Sequence, residues 1–138
     1  THIHTHIHTH IFRYIYRCVC MCVYICMCVC VYIYIYILLN VKSKNMSKNN
    51  FFDHTDNKGH SPFDRLKSDN IDFNAAGENL AYGQVNSIYA HEGLMNSLGH
   101  RKNILNTHYR NLGVGVDFNK EKQPFWTVCE QKVNAYHI

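Results

Sequence analysis

The pattern of polar and apolar positions after residue 60, Ser61-Pro62-Phe63-Asp64, is typical of a helix start and predicts a short helix. Ser61 is placed to cap it, Pro62 occupies its first position, and Asp64 reaches back to the cap from the third position. We expect this helix to end near residues 68–70. A second helix is predicted from about Asn86 to Asn96.

Apolar residues in the second predicted helix recur at helical spacing and indicate the face that meets a core. We expect Ile88, Leu94 and Met95 to point inward. Leu98-Gly99 should terminate the helix, because glycine readily adopts the conformation that ends helices. Arg101 and Asn103 are then expected to fix a turn over residues 99–105.

Two strand-like runs, at residues 112–118 and 124–128, follow the helices and are joined by the polar residues 119–123. This arrangement predicts a β-hairpin. Gly113 and Gly115 indicate a close approach by another backbone, and Phe125 and Trp126 are expected to pack the sheet against a helix. Helices interleaved with strands predict a sheet covered by helices.

The first forty residues differ in kind from the rest of the chain. Residues 1–37 are almost wholly alternating pairs such as Thr-His, Cys-Val and Ile-Tyr, whose amino acids all have codons that alternate purine with pyrimidine. A translated dinucleotide repeat gives such a sequence. We therefore predict a low-complexity, repeat-derived extension over 1–40 and a globular domain over 41–138, with 40–50 forming the last turns of a helix whose earlier portion is absent.

Two other interpretations of the extension stay open. Segment 18–39 carries no charge, follows Arg13 and Arg17, and is long enough to be a membrane anchor. Its strict alternation of β-branched residues with tyrosine and cysteine favours extended structure instead. Alternating histidines at 2–10 and cysteines at 18–30 could also bind Zn²⁺ or Ni²⁺, although their spacing is not that of common zinc modules.

The globular part is close to neutral. Two of the 14 basic residues, Arg13 and Arg17, lie in the extension, whereas all 10 acidic residues follow it. Phosphate binding needs a clustered basic face, so a nucleic-acid partner is not indicated. Only one of the 7 cysteines, Cys129, falls in this part, which excludes a disulfide within it.

Six motifs occur in an order that resembles the CAP superfamily, named for cysteine-rich secretory proteins, antigen five and pathogenesis-related one. The nearest resemblance is to its short bacterial branch. In chain order the motifs are Phe51-Phe52-Asp53-His54-Thr55, Ser61-Pro62-Phe63-Asp64-Arg65, Gly77-Glu78-Asn79, the run from Asn96 to Leu105, Leu112-Gly113-Val114-Gly115-Val116, and Phe125-Trp126-Thr127.

The resemblance implies an α+β fold, a three-layer α-β-α sandwich that is incomplete at its N-terminus because the family's first helix is replaced by the repeat. It also implies secretion or a place in the cell envelope. The family's cleft residues map onto His54, Glu78 and His100, with Glu92 as the candidate for the second acidic position. In some members this cleft holds a divalent metal, so Zn²⁺ or a similar ion at His54, His100 and Glu78 is an expectation.

Three functions remain open. The first is a secreted binding module whose His/Glu cleft holds a metal or a small ligand, such as a cell-envelope component. The second is a metal- or acid/base-assisted hydrolase with Glu78 as the base, for which no partnered nucleophile is recognisable. The third is a gene fragment without function. Whether the chain is an enzyme is left undecided, and a membrane partner is expected only if segment 18–39 is an anchor.

Overall fold

The computed structural model describes residues 35–133. The predictions for the histidine and cysteine repeats, and for most of segment 18–39, lie outside this range. Within residues 35–133 no helix has the length and apolarity needed to cross a bilayer. Residues 35–39 are helical, so the extended structure favoured by their alternating pattern is wrong for that part of the segment.

The first helix, α1, occupies residues 35–49 of the described chain. Its buried positions recur at helical spacing, which explains why this mixed stretch forms a helix against a core. They are Ile35, Leu39, Lys42, Ser43, Met46 and Ser47. Asn50 adopts the left-handed conformation, with φ of 50°, and ends α1. The predicted helix over 40–50 is confirmed. The helix also includes residues 35–39, which lie in the predicted repeat-derived extension.

The remaining elements follow in chain order. They are α2 (Pro62–Ser68), β1 (Phe73–Tyr82), α3 (Ser87–Asn96), α4 (Leu98–Ile104), β2 (Asn111–Phe118) and β3 (Pro124–Val133).

Helix α2 begins as the sequence predicts. The Ser61 side chain accepts a hydrogen bond from the Asp64 amide, the Asp64 side chain accepts one from the Ser61 amide, and Pro62 stands at the start. Asn86 caps α3 in a similar way, by accepting from the Tyr89 amide. Both predicted helices are therefore confirmed at their starts.

The inward face of α3 and the segment after it differ from expectation. Ile88 is 74% exposed, whereas Leu94 is buried, so the predicted core position at Ile88 is wrong. Residues 99–105 were predicted as a turn, yet α4 covers most of them and Asn103 bonds to a strand instead. Only Ser97 separates α3 from α4, since its extended backbone breaks the helix without a wider loop.

The three strands form an antiparallel sheet in the order β1-β3-β2. The hairpin between β2 and β3 is confirmed, closed by Asn119 and Gln123, whose backbones bond at 3.1 Å. Strand β1 was not predicted, because its small and polar residues carry no clear alternation. It pairs with β3 from Phe73 to Tyr82, and β3 itself runs five residues beyond the predicted end at Val128.

Helices cover both faces of this sheet, which gives the predicted α-β-α layering. On the first face, Met46 of α1 packs with Leu80 and Phe125. On the second face, Leu94 of α3 lies in a cluster against which Trp126 packs. Neighbouring residues of β3 thus serve opposite layers, as strand geometry requires.

The two glycines of β2 let α1 approach the first face closely. A Cβ built at Gly113 would meet Ile35 at 2.5 Å, and one at Gly115 would meet the backbone of Leu39 and Asn40. The close approach predicted from these glycines is confirmed. Ser43 and Thr127 then form a buried hydrogen bond of 2.8 Å across the same interface.

Two polar side chains are buried together on the second face. Asn79 donates from Nδ2 to Oε1 of Glu130 at 3.0 Å, and Glu130 is only 4% exposed. Burial raises the pKa of Glu130 to about 7 from an ordinary 4.5, although the bond from Asn79 opposes this rise. The carboxyl group therefore keeps its proton to a higher pH in the folded protein than in the unfolded chain.

We predict that Gly115→Ala destabilises the fold by about 1–3 kcal/mol, because the added methyl group must displace the backbone of α1. The matched control is Gly99→Ala in α4, where nothing lies within 4 Å of the new Cβ and the helix should be unchanged or slightly stabilised. Urea unfolding of both variants measures the difference. Equal midpoints would contradict the close packing of α1 on β2.

We predict a pH-dependent gain in stability for Glu130→Gln. As pH rises from 4.5 to about 7, the unfolded chain loses this proton before the folded chain does, so wild-type stability falls over that window and stays lower above it. The variant lacks this loss and should gain roughly 1–3 kcal/mol relative to wild type between pH 4.5 and pH 8. Urea unfolding at both pH values measures the gain, and an unchanged difference would refute the buried acid.

Candidate functional site

The candidate site lies at the first face of the sheet, where the loop after α1 meets β1. Nδ1 of His54 in this loop lies 3.0 Å from Oε1 of Glu78 in β1. The His54 side chain is 52% exposed, whereas that of Glu78 is only 4% exposed. A buried carboxylate therefore holds a half-exposed imidazole in a fixed orientation.

Arg65 of α2 completes the neutralisation of Glu78. Its Nη2 donates to Oε2 of Glu78 at 2.6 Å, and the Arg65 side chain is 10% exposed. Its Nη1 donates to the carbonyl oxygens of His54 and His60, each at 3.0 Å. One guanidinium thus joins the helix, the strand and two points of the loop.

Lys42 of α1 holds the loop from the other side. Its Nζ donates to the carbonyl oxygens of Asp53 at 2.6 Å and Thr55 at 3.1 Å, and lies 5.0 Å from the centre of the Phe51 ring. Burial, and then the nearby Arg65 charge, lower the pKa of Lys42 to about 8. Both residues flanking His54 are therefore tied by their backbones to a buried amine.

The other two residues carried over from the family lie on elements of the second layer. His100 is on α4 and Glu92 on α3, and both helices pack against the sheet face opposite to Glu78. Glu92 is exposed, and His100 is partly buried. His100 offers its backbone carbonyl to Nδ2 of Asn79, at 3.4 Å. The structure brings His54 and Glu78 into direct contact, and it ties His100 to the residue next to Glu78.

The residues that support this site are not predicted from the sequence. Asn79 accepts from Nδ2 of Asn103 at 3.1 Å and donates to Glu130, so it links β1 to α4 and β3. Its position beside Glu78 in a strand, pointing to the opposite face, would have revealed this role once β1 was recognised. For Lys42 the available signal was its helical spacing with the buried Leu39 and Met46.

The donor set does not fit a bound metal ion. Among residues 35–133 no three His, Cys, Asp or Glu side chains are grouped so as to hold one. Both oxygens of Glu78 are also engaged, one by His54 and one by Arg65. A cation would compete with the guanidinium that already neutralises this carboxylate.

The same contacts define what the site can do. With its Nδ1 proton on the Glu78 side, His54 presents Nε2 as an acceptor when neutral and as a donor when protonated. Glu78 itself is shielded from solvent, so it orients the imidazole rather than meeting a ligand. The thiol of Cys129 is unreactive as a nucleophile, because burial raises the pKa of Cys129 to about 12.

Known proteins share this architecture. The model of the cysteine-rich secretory protein family, CAP, matches residues 38–131. Two proteins of Bacillus subtilis strain 168 are similar in sequence. "Uncharacterized membrane protein YlbC" is 48% identical over 83 residues, which are 60% of this chain and 24% of that protein. "Uncharacterized protein YkwD" is 44% identical over 87 residues, which are 63% of this chain and 33% of that protein.

Two solved structures resemble the fold. An extracellular protein containing a SCP domain from Bacillus anthracis has 35% identity and a TM-score of 0.63, over 71% of this chain and 31% of that one. An outer surface protein from Borrelia burgdorferi has a TM-score of 0.66 over 72% of this chain and 74% of that one. At 20% identity the second likeness concerns the fold alone.

The matched region spans no more than a third of the length of either Bacillus subtilis relative. The residues matched by the family model, 38–131, include the His54–Glu78 contact and nearly all of the sheet and of the helices on its two faces. Since the family model covers well over half of the 138 residues, the chain belongs to the cysteine-rich secretory protein (CAP) family, in its short bacterial branch.

Proposed function

We propose that this chain is a binding module that acts outside the cell or in its envelope and recognises a small polar or anionic group at His54. The observation that carries the proposal is the half-exposed imidazole, fixed by a buried carboxylate that is itself neutralised by Arg65. Such an arrangement presents one ring nitrogen to a ligand, and the imidazole does not have to be ordered when the ligand binds.

The setting outside the cytoplasm is supported by family membership and by one similar structure. The Bacillus anthracis protein, 35% identical to this chain, is described as extracellular. A ligand drawn from the cell envelope, such as an acidic or hydroxyl-rich group, suits a site built from an imidazole with a buried cation behind it. Lys42 supplies this positive charge, because the charge of Arg65 is offset by Glu78.

Hydrolysis is the alternative use of the same residues. A histidine held by a carboxylate is a common arrangement for a general base. Here the base would be His54, because Glu78 is buried and both of its oxygens are engaged. Among the described residues no serine or cysteine forms a hydrogen bond with the His54 side chain, which supports binding over turnover.

The metal-dependent version of the cleft is less well supported. It requires the His100 side chain to join His54, and it requires Glu78 to exchange Arg65 for a metal. A Zn²⁺ titration that differs between wild type and the double variant His54→Ala plus His100→Ala would restore it.

We predict that inorganic phosphate, as an anionic probe, perturbs the imidazole nitrogens of His54 saturably in ¹⁵N-detected NMR. The matched control is His60, which is 54% exposed and pairs with Asp56 at 3.1 Å, yet has a more exposed carboxylate without an arginine. His54→Ala should abolish the strongest binding, and His60→Ala should leave it unchanged. Equal responses at both histidines would reduce the site to ordinary surface chemistry.

We predict that Glu78→Gln destabilises the fold by about 3 kcal/mol, because it leaves a buried guanidinium without its counter-charge. The matched control, Asp56→Asn, removes the partner of an exposed histidine and should cost about 1 kcal/mol or less. Urea unfolding compares the two. If Glu78→Gln instead kept full stability while abolishing a measured hydrolytic activity, the carboxylate would be catalytic and our assignment wrong.

A further inference from the structure

A polar cleft lies between the C-terminal end of α1 and the hairpin that joins β2 to β3. We call it the hairpin cleft, and it is lined by Ser47, Lys48, Asn50, residues 117–121 and Gln123. Its volume of about 920 Å³ falls within the roughly 300–1,000 Å³ of small-molecule pockets. Neither His54 nor Glu78 lines it, so a ligand bound here is separate from one held by His54.

The hairpin fixes the orientation of one amide side chain in this cleft. Oδ1 of Asn119 accepts from the backbone amide of Gln123 at 2.8 Å, so Nδ2 of Asn119 is the atom that meets the Gln123 side chain. Oε1 of Gln123 accepts from this Nδ2 at 2.8 Å and from the Tyr82 hydroxyl at 2.6 Å. Within residues 35–133 no acceptor bonds to Nε2 of Gln123, which therefore remains an oriented donor for a ligand.

A carboxylate on β2 is held in a similar way. The Ser47 hydroxyl of α1 donates to Oδ2 of Asp117. Asp117 is partly exposed, and no donor in the described part of the chain bonds to its Oδ1. The cleft thus offers one donor and one acceptor that are positioned before a ligand arrives, which reduces the entropy lost on binding.

An aromatic ring lines the same cleft. Phe118 is 55% exposed and lies beside these polar groups in the lining. A sugar ring has a face of C–H groups and a rim of hydroxyl groups. The face can cover an exposed aromatic ring while the rim meets a nearby donor and acceptor, so the cleft combines the two surfaces that a sugar needs.

The charges in the cleft favour a neutral ligand. Lys48 and Lys120 carry two positive charges, and Asp117 and Glu121 carry two negative ones. An anion would be attracted by the lysines and repelled by the carboxylates, and a cation would experience the reverse. Hydroxyl groups donate to carboxylates and accept from ammonium groups, so they suit both kinds of side chain.

We propose that the hairpin cleft binds a neutral carbohydrate, with one sugar ring stacked on Phe118 and its hydroxyl groups bonded to Nε2 of Gln123 and to the carboxylate of Asp117. This site is additional to the one at His54 and does not depend on it.

The experiment records ¹H–¹⁵N NMR spectra of the full chain during titration with two neutral trisaccharides, maltotriose and chitotriose, and with an acidic one, trigalacturonate. We expect a neutral trimer to shift the side-chain amide signals of Asn119 and Gln123 saturably, and the acidic trimer to bind no more tightly. No saturable shift with either neutral trimer, or tighter binding of the acidic trimer, overturns the proposal.

Two variants assign the binding to the cleft. Phe118→Ala should weaken binding of the neutral trimer about tenfold, because the stacking surface is lost. The matched control is Tyr89→Ala on α3, where an aromatic ring that is 56% exposed lies outside the cleft, and it should bind as wild type does. Gln123→Glu keeps an oxygen for Tyr82 and Asn119 but removes the donor, and should weaken binding about fivefold.

Unchanged affinity in both Phe118→Ala and Gln123→Glu would show that the sugar binds elsewhere and would refute the assignment. His54→Ala should leave the titration unaltered. Loss of sugar binding in His54→Ala would place the sugar at the other site and would likewise overturn this proposal, whereas failure of phosphate to bind at His54 leaves it intact.

Discussion

The burial of the Glu78 carboxylate determines which side chains must pack around it on the first face of the sheet. A charge shielded from water at this depth must be compensated, and Arg65 and His54 compensate it from a helix and from a loop. Arg65 then binds the loop backbone at two carbonyls. The position of α2 and the orientation of the exposed imidazole thus follow from neutralising a single group, while Lys42 adds two further hydrogen bonds to the loop.

The two faces of the sheet have different chemistry because adjacent residues of β1 and β3 point in opposite directions. On the first face both oxygens of Glu78 are paired, one with Arg65 and one with His54. On the second face the surroundings are mainly apolar, and burial raises the pKa of Glu130 to about 7. One small domain thereby carries an ionic cluster on one face of its sheet and a mainly apolar cluster on the other.

The sequence predicted what local chemistry determines and missed what depends on contacts distant in the chain. The caps at Ser61 and Asn86 are local, and the hairpin follows from a polar loop between β-branched runs, so these were predicted. Strand β1 has an indistinct pattern because Gly77 and its neighbours are small, and its pairing with β3 decides its form. Lys42 and Arg65 read as surface charges until the loop folds over them. His54 and Glu78 were found through family motifs, whereas the placement of His100 on α4 required the structure.

The position of Asn79 directly after Glu78 has a consequence for how the chain avoids misfolding. A slip of β1 by a single residue would exchange their faces, since strand side chains alternate. Arg65 would then face the uncharged amide of Asn79. The Glu78 carboxylate, without a counter-charge, would lie against α4 and Glu130. A register shift of β1 would thus be destabilised by electrostatics as well as by packing. The neighbouring pair Glu78 and Asn79 therefore favours the native strand register.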